Sequence, residues 1–331
     1  MNQAHLPEAA RRVIFDRAIL PSLFGDAQHP AEQDTGARPP VTVLVGGQPG
    51  AGKSRLEAEL ARNLDAVIVD VDQLRAFHPD YARLARSDDR TAAEATHTDV
   101  QTWSRWAIAY AIEHGINLIV STTLRGPGDT AAQIEHHRAA GRDVEVVFLA
   151  VDLATSTLGV LQRYAADRAD PRLGYGRYTP RAFQEAAYDG LPATAERVED
   201  DQRAHRVHVM RRGGGQPLYT NSLDEGGRWR SPPAARAALT AERNRTWTAA
   251  EIAAFDERVA ALRAVLPAWL QPDLDAAVAD AAPHRLGPPA STSPARLAFP
   301  RPPHGLTART PPPSSPPGGG ALPPRPGRTR S

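Results

Sequence analysis

Short apolar runs alternate along the chain with longer segments whose apolar residues have helical spacing. The runs are almost continuously apolar, so we expect strands that are covered on both faces. They occupy residues 41–45, 66–70, 117–121, 144–150 and 206–210. The helical segments between them cover residues 53–62, 91–114, 130–139, 154–168 and 180–188. This alternation predicts an α/β fold with a mostly parallel sheet flanked by helices.

Three further segments flank the alternating region. Residues 7–20 have the spacing of a helix, and Gly213, Gly214 and Gly215 before residues 216–220 predict a hairpin return. Residues 233–281 are rich in Ala and predict two or three helices packed on the sheet. We therefore divide the chain into an N-terminal helix and linker (1–40), a main domain (41–225), a helical extension (226–282) and a tail (283–331).

The tail differs in composition from the rest of the chain. It holds 15 of the 31 Pro residues, seven Arg and no acidic residue, although the whole chain is nearly balanced at 39 basic and 38 acidic side chains. Such a segment buries too little apolar surface to fold, so we expect a disordered, basic and Pro-rich extension. We expect no specific nucleic-acid partner from it.

The absence of Cys excludes disulfides, thiolate zinc sites and cysteine nucleophiles. No apolar run approaches the roughly 20 residues of a membrane helix, and the N-terminus lacks a signal-peptide layout. We therefore expect no membrane span and a cytoplasmic location.

A phosphate-binding loop follows the first predicted strand directly and precedes a helix. Its residues fit the pattern G-x-x-x-x-G-K-[ST] and are Gly47, Gln48, Pro49, Gly50, Ala51, Gly52, Lys53 and Ser54. Lys53 is the only Lys of the chain, all other basic residues being Arg. In such a loop backbone N–H groups surround a triphosphate, Lys53 reaches its β and γ oxygens, and Ser54 ligates Mg²⁺. The loop therefore predicts ATP and Mg²⁺ as cofactors.

Two carboxylates, Asp70 and Asp72, end the second predicted strand, and alternation along a strand would put both on one side. Ligands of open α/β sheets bind at this edge. In a kinase one Asp can take the proton of a hydroxyl acceptor while the other supports Mg²⁺ or the loop. The alternative is an ordinary turn or helix cap.

Other polar residues are candidates at the same edge. Residues 121–125 (Ser-Thr-Thr-Leu-Arg) end the third strand and offer hydroxyls and Arg125 to a substrate phosphate or sugar, against the alternative of capping and a surface Arg. Arg163 lies on a predicted helix, and Arg177 follows 14 residues later. Arginines that close over a transferring phosphate neutralise its developing charge. In a chain so rich in Arg, composition alone also explains both.

In this order the motifs resemble the zeta toxin family of P-loop kinases, the toxin half of epsilon/zeta-type toxin–antitoxin systems. The similarity extends from about residue 13 to about residue 221. It rests on GQPGAGKS, IVDVDQLRAFHP, TTLR, LGVLQRY, and RYTP followed by GLP.

The resemblance implies transfer of the ATP γ-phosphate to the 3′-hydroxyl of UDP-N-acetylglucosamine. It implies Asp72 as general base, Thr123 and Arg125 as substrate and phosphate contacts, and Arg163 and Arg177 as arginines that clamp phosphate. It also assigns Lys53 and Ser54 to the phosphate-binding loop. A small proteinaceous antitoxin is the partner that it implies.

The chain departs from the family pattern at two positions. Ser121 stands two residues before the Thr of TTLR, where well-known members have Glu, and Arg105 falls by spacing on another substrate-contacting Glu. We therefore expect Ser121 and Arg105 to contact the acceptor and to lie close together, and UDP-N-acetylglucosamine to be a poorer substrate than a different nucleotide-linked molecule. A non-catalytic, regulatory ATP-binding protein is the third interpretation.

Overall fold

The computed structural model describes residues 5–25 and 39–285, which include a six-stranded sheet. Its strands are β1 (Val41–Gly46), β2 (Val67–Asp70), β3 (Leu118–Thr122), β4 (Asp143–Ala150), β5 (Arg206–Arg211) and β6 (Tyr219–Ser222). The order across the sheet is β2-β3-β1-β4-β5-β6. The first five strands run parallel, and β6 returns antiparallel to β5. The predicted α/β class and its five strands are confirmed, each end to within one residue.

Helices connect the parallel strands and extend the chain at both ends. Those before and within the sheet region are α1 (Glu8–Ile14), α2 (Leu20–Phe24), α3 (Lys53–Leu64), α4 (Val71–Leu74), α5 (Tyr81–Ser87), α6 (Ala92–Ala95), α7 (His97–Glu113), α8 (Pro127–Ala139), α9 (Leu153–Ala169) and α10 (Arg181–Asp200). Those of the extension are α11 (Ala235–Arg243), α12 (Ala249–Val265), α13 (Gln271–Asp280) and α14 (Ala282–Arg285). A π-helical turn, Phe15–Ile19, joins α1 to α2.

Both faces of the sheet are buried, as the apolar strands predict. Leu44 of β1 packs into a core with Trp103 of α7, whereas its neighbours Val43 and Val45 pack on the opposite face with Leu56 of α3. A further core joins α9 to α12 and α13 of the extension. The extension is therefore packed on the domain that carries the phosphate-binding loop.

Helix α10 is much longer than predicted, because it continues through Pro192 to Asp200. A Pro inside a helix leaves the carbonyl four residues earlier without its N–H partner. Here that carbonyl, on Tyr188, accepts a hydrogen bond of 2.8 Å from the guanidinium of Arg243 in α11. A side chain from the extension thus satisfies the group that would otherwise end the helix.

The helix predicted over residues 91–114 is interrupted at Thr96, which separates α6 from α7. The buried guanidinium of Arg75 donates to the Ala93 carbonyl and to the Thr96 hydroxyl at this break. A side chain from elsewhere in the fold therefore stabilises an irregular segment that helical periodicity does not predict.

The predicted boundary at residue 283 falls inside α14. His284 is buried, stacks on Trp247 with a centroid distance of 5.1 Å and accepts a backbone hydrogen bond from it. The structured extension therefore reaches at least Arg285, and the remainder of the predicted tail lies outside the described residues. In the described ranges no helix is long and apolar enough to cross a membrane.

Candidate active site

The phosphate-binding loop connects β1 to α3 and depends on two glycines with positive φ, Gly50 at 79° and Gly52 at 91°. A Cβ on Gly50 would lie 2.0 Å from the Ser156 carbonyl oxygen of α9. Only Gly satisfies both the backbone conformation and this close approach. The sequence pattern and the fold therefore agree on the position of the loop.

Gln48 anchors the loop to the surrounding structure and is fully buried. Its amide nitrogen donates to the Val151 carbonyl at 2.8 Å and to the Ser156 hydroxyl at 3.1 Å. Its amide oxygen accepts a hydrogen bond of 3.1 Å from Arg243. Burial lowers the pKa of Arg243 to about 10, so it remains a cation at neutral pH. The extension therefore holds the loop through one buried Arg.

We expect Arg243→Met to weaken ATP binding about tenfold and to lower stability by about 1 to 3 kcal/mol, because Gln48 and the Tyr188 carbonyl both lose their donor. Isothermal titration with ATP below the thermal midpoint, beside thermal unfolding, measures the two effects. Arg236→Met, an exposed change on the same helix, is the matched control. Wild-type ATP affinity in folded Arg243→Met protein would show that the loop does not need this contact.

Lys53 begins α3, and its ammonium group donates to the Gly47 carbonyl at 2.9 Å across the loop. Burial lowers the pKa of Lys53, while the carboxylates of Glu57, Asp70 and Asp72 act in the opposite direction. The side chain of Lys53 therefore spans the concave side of the loop and is surrounded by three acidic groups.

Asp70 and Asp72 are not on one strand. Strand β2 ends at Asp70, which caps α4 by accepting the Asp72 backbone N–H at 2.9 Å, and Asp72 lies in the first helical turn. The prediction that strand alternation places Asp70 and Asp72 on one side of β2 is wrong. Asp70 is a helix cap, as the alternative interpretation predicted. Burial and the charge of Asp72 raise the pKa of Asp70. The two carboxylates nevertheless remain adjacent at the edge of the sheet.

The carboxylate of Asp72 is half exposed and lies between two arginines. Arg75 Nε is 3.4 Å from one oxygen, and Arg163 is 3.8 Å from the other. Desolvation alone would raise the pKa of Asp72, but the charges of Arg163, Arg75 and Lys53 lower it. Asp72 is therefore an ionised carboxylate that is accessible from solvent.

Arg163 and Arg177 have different partners in the structure. Besides Asp72, Arg163 contacts the Thr179 hydroxyl at 3.0 Å, and its buried Nε has no hydrogen-bond partner. Arg177 makes a two-pronged pair with Asp167 at 2.6 and 3.1 Å, which raises its pKa. Arg163 is thus at the edge of the sheet, whereas Arg177 is held by α9.

The other predicted acceptor contacts are less closely grouped. Ser121 is the β3 register partner of Asp70, and Thr123 follows two residues later with intermediate exposure. Arg125 is exposed, and its guanidinium lies 4.9 Å from the Phe183 ring centre. Arg105 is also exposed and donates to the Thr102 hydroxyl on its own helix at 3.0 Å, and within residues 5–25 and 39–285 no hydrogen bond joins it to Ser121.

Three further residues shape this site and were not predicted from the sequence: Arg75, Arg243 and Glu57. Arg75 and Arg243 are buried but sit in a chain with 38 Arg residues, so nothing in the sequence separates them from surface charges. Glu57 follows Lys53 by four residues, a spacing that normally indicates an exposed ion pair on a helix. Burial alone distinguishes these three residues, and burial follows from tertiary packing.

A cavity of about 240 Å³ lies beside the loop, at the carboxyl ends of β4 and β5. The side chains that line it include Asp152, Arg212, Arg245, Trp247 and Arg258. A Cβ on Gly52 would be 3.5 Å from Arg212, so the cavity adjoins the start of α3. Arg211 and Arg245 of its lining are paired with Glu242 and Glu251, which leaves Arg212, Arg258 and the indole ring of Trp247 as the groups that could contact an anionic ligand with an aromatic group.

The sheet order, the loop and its following helix define a P-loop α/β protein. The Zeta toxin family model matches residues 27–224, and the chain belongs to that family. The expected family resemblance is therefore confirmed.

The curated relatives share about a quarter of their residues with this chain over the matched region. The protein named Toxin zeta from Enterococcus hirae is 26% identical over 180 residues, which cover 53% of this chain and 62% of the relative. Toxin zeta from Streptococcus pyogenes is 25% identical over 180 residues, with 53% and 61% covered. The chain thus spans about three-fifths of the length of these relatives.

Among solved structures, a chain from the PezAT chromosomal toxin–antitoxin system of Streptococcus pneumoniae matches with a TM-score of 0.65. It is 19% identical, and the match covers 79% of this chain and 100% of that one. At this identity the likeness concerns the fold.

Proposed function

We propose that this protein is an ATP-dependent phosphotransferase that transfers the γ-phosphate to a hydroxyl of a nucleotide-linked small molecule. One observation carries the proposal: the Lys53 ammonium group lies across the phosphate-binding loop, and Asp72, at the neighbouring edge of the sheet, has the Arg163 guanidinium 3.8 Å from one of its oxygens. A phosphate-binding cation, an accessible base and a second cation at one edge of the sheet are the groups that phosphoryl transfer needs.

In this mechanism each side chain has a separate task. The ammonium group of Lys53 exchanges the Gly47 carbonyl for the β and γ oxygens of ATP. The guanidinium of Arg163 turns from Asp72 to the transferring phosphoryl group, which removes a charge that keeps the pKa of Asp72 low. Asp72 then becomes more basic and takes the acceptor's proton while the acceptor oxygen bonds to phosphorus and ADP leaves.

Several groups fit the expected cofactors. The cavity beside Arg212 would take the base and ribose of ATP. Mg²⁺ would enter with the nucleotide, as in other P-loop phosphotransferases, and would be held by Ser54 and Asp70. When bound, Mg²⁺ neutralises charge on the phosphates. Oxygen groups of this kind are the ligands that it prefers.

For the acceptor, UDP-N-acetylglucosamine is the first candidate because of the family, with Thr123, Arg125, Ser121 and Arg105 proposed to contact it. Because Ser121 and Arg105 replace two carboxylates of the family pattern, we expect a different nucleotide-linked acceptor to be preferred. A basic Arg105 can donate to anionic or carbonyl oxygens but cannot accept from a sugar hydroxyl. We further propose a toxin role with a small protein antitoxin as partner.

A panel of nucleotide sugars and dinucleotides with ATP and Mg²⁺, read by mass spectrometry, tests acceptor choice. We expect one phosphate to be gained, with UDP-N-acetylglucosamine at least tenfold slower than the best member of the panel. UDP-N-acetylglucosamine as the fastest acceptor would contradict the role given to Ser121 and Arg105. No phosphorylated product from any member, with ATP bound, would favour the regulatory interpretation.

A further inference from the structure

Glu57 is a buried carboxylate that no step above uses. It lies one turn after Lys53 on α3 and is 1% exposed. Neither of its carboxylate oxygens has a hydrogen-bond partner in the described part of the chain. Buried acceptors, and charged ones above all, are nearly always paired in folded proteins. A buried carboxylate without a protein partner inside an active site points to a group that contacts it when a ligand binds.

The groups around Glu57 identify where that ligand would sit. Burial raises the pKa of Glu57, while the nearby Ser121 side chain and the Lys53 charge lower it. Ser121 is in register with Val45 of β1 and Asp70 of β2, so it ends the strand adjacent to the phosphate-binding loop. Glu57 thus lies on the helix that follows the loop, near the carboxyl end of β3.

The side chains nearest to Glu57 that could pair with it or replace it have other hydrogen-bond partners. The ammonium of Lys53 donates to the Gly47 carbonyl and is free to move to phosphate, so Glu57 is not its fixed partner. Asp70 accepts the Asp72 backbone N–H on one oxygen and the Gln73 side-chain amide, at 3.4 Å, on the other. Glu57 is therefore the carboxylate of this edge whose oxygens are uncommitted.

P-loop phosphotransferases hold Mg²⁺ by the loop hydroxyl and by a carboxylate at a neighbouring strand end. Here Ser54 supplies the hydroxyl, but β3 ends in Ser121 and Thr122, without a carboxylate. Glu57 follows Ser54 by three residues and so shares its side of α3. Glu57 of α3 therefore supplies a carboxylate near the end of β3, where the strand itself has none.

We propose that Glu57, together with the Ser121 hydroxyl, binds the water ligands of the Mg²⁺ that accompanies the nucleotide. Mg²⁺ usually keeps several waters and touches few protein groups directly. Glu57 is then a positioning residue, and the inference rests on the proposed use of Mg-ATP. It adds a carboxylate from the loop's own helix to a site that Ser54 and Asp70 otherwise form.

The test compares Glu57→Gln with Glu59→Gln, the same change at an exposed position of the same helix. Binding of a non-hydrolysable ATP analogue is measured by titration calorimetry over a series of Mg²⁺ concentrations and in EDTA, without acceptor. In Glu57→Gln, the Mg²⁺ concentration that gives half of the Mg²⁺-dependent gain in affinity for the ATP analogue should be about tenfold higher than in the wild type. The affinity for the analogue in EDTA should be unchanged. Glu59→Gln should match the wild type.

Two results would overturn the inference. One is an unchanged Mg²⁺ dependence in Glu57→Gln, and the other is an equal loss of affinity with and without Mg²⁺, which indicates a structural role. Gln has the same shape and removes an unpaired buried charge, so the variant should keep the wild-type thermal midpoint. Ser121→Ala gives a second measurement, with a smaller shift in the same direction. Failure of phosphoryl transfer in a wild type that binds Mg-nucleotide would defeat the proposed function and leave this inference standing.

Discussion

Asp72→Asn is expected to reduce turnover by about a hundredfold or more while ATP affinity stays within about twofold of the wild type. The amide cannot accept the acceptor's proton, and loss of a general base costs about 10² to 10⁴ in rate. ATP affinity should persist because the nucleotide depends on the loop, on Lys53 and on the cavity beside Arg212. Steady-state kinetics with the best acceptor and titration with ATP measure the two quantities.

Asp65→Asn is the matched control, since Asp65 is exposed and has φ of 48°, a conformation that Asn adopts readily. It should leave turnover and ATP affinity unchanged. Wild-type turnover in Asp72→Asn protein would remove Asp72 from the mechanism and leave it as part of the α4 turn.

Arg163→Gln should lower turnover about a hundredfold, with ATP affinity changed only a few fold. In the proposed function this guanidinium acts on the phosphoryl group as charge develops during transfer, so its removal should raise the barrier more than it weakens binding. Arg177→Ala should lower turnover less, by about tenfold, because the pair with Asp167 must break before the Arg177 guanidinium can reach the phosphoryl group. Single-turnover kinetics at saturating ATP separates the chemical step from nucleotide binding.

Arg168→Ala serves as the control, because Arg168 lies on the same helix and is mostly exposed. It should behave as the wild type. Unchanged single-turnover rates in Arg163→Gln would mean that this Arg only balances the charge of Asp72, and the same result in Arg177→Ala would assign that side chain to packing of α9.

The sequence predicted those parts of the molecule that depend on local pattern. The loop from Gly47 to Ser54 is recognisable because its glycines are required by backbone geometry, as the 2.0 Å approach at Gly50 shows. The strands are recognisable because both sheet faces are buried, so their apolar runs are uninterrupted. Local chemistry and the fold impose the same residues at these positions.

The rest of the site depends on contacts between residues far apart in the chain. Arg243 satisfies the Tyr188 carbonyl freed by Pro192 and also binds Gln48, 195 positions away. This one side chain explains the unexpected length of α10 and the attachment of the loop to the extension. Many other arginines lie near it in the sequence, so only the packed structure identifies Arg243 as the residue that makes these contacts.

The same limit applies to Asp72 and Glu57. Strand alternation predicted the proximity of Asp70 and Asp72 for the wrong reason, since β2 ends at Asp70 and a helical turn brings Asp72 back to the edge. Glu57 has the spacing of a surface ion pair but is buried beneath the loop. In both cases tertiary packing determines what the carboxylate can reach.

The central claim is that the γ-phosphate of ATP moves to a hydroxyl of a nucleotide-linked acceptor. Incubation with ATP labelled at the γ-phosphate, Mg²⁺ and nucleotide sugars, followed by separation of the products, tests it most directly. We predict that the label appears as a phosphomonoester on the acceptor in equal amount to the ADP formed, and that Asp72→Asn abolishes both. Label that stays in ATP, or that is released only as inorganic phosphate, would contradict the claim.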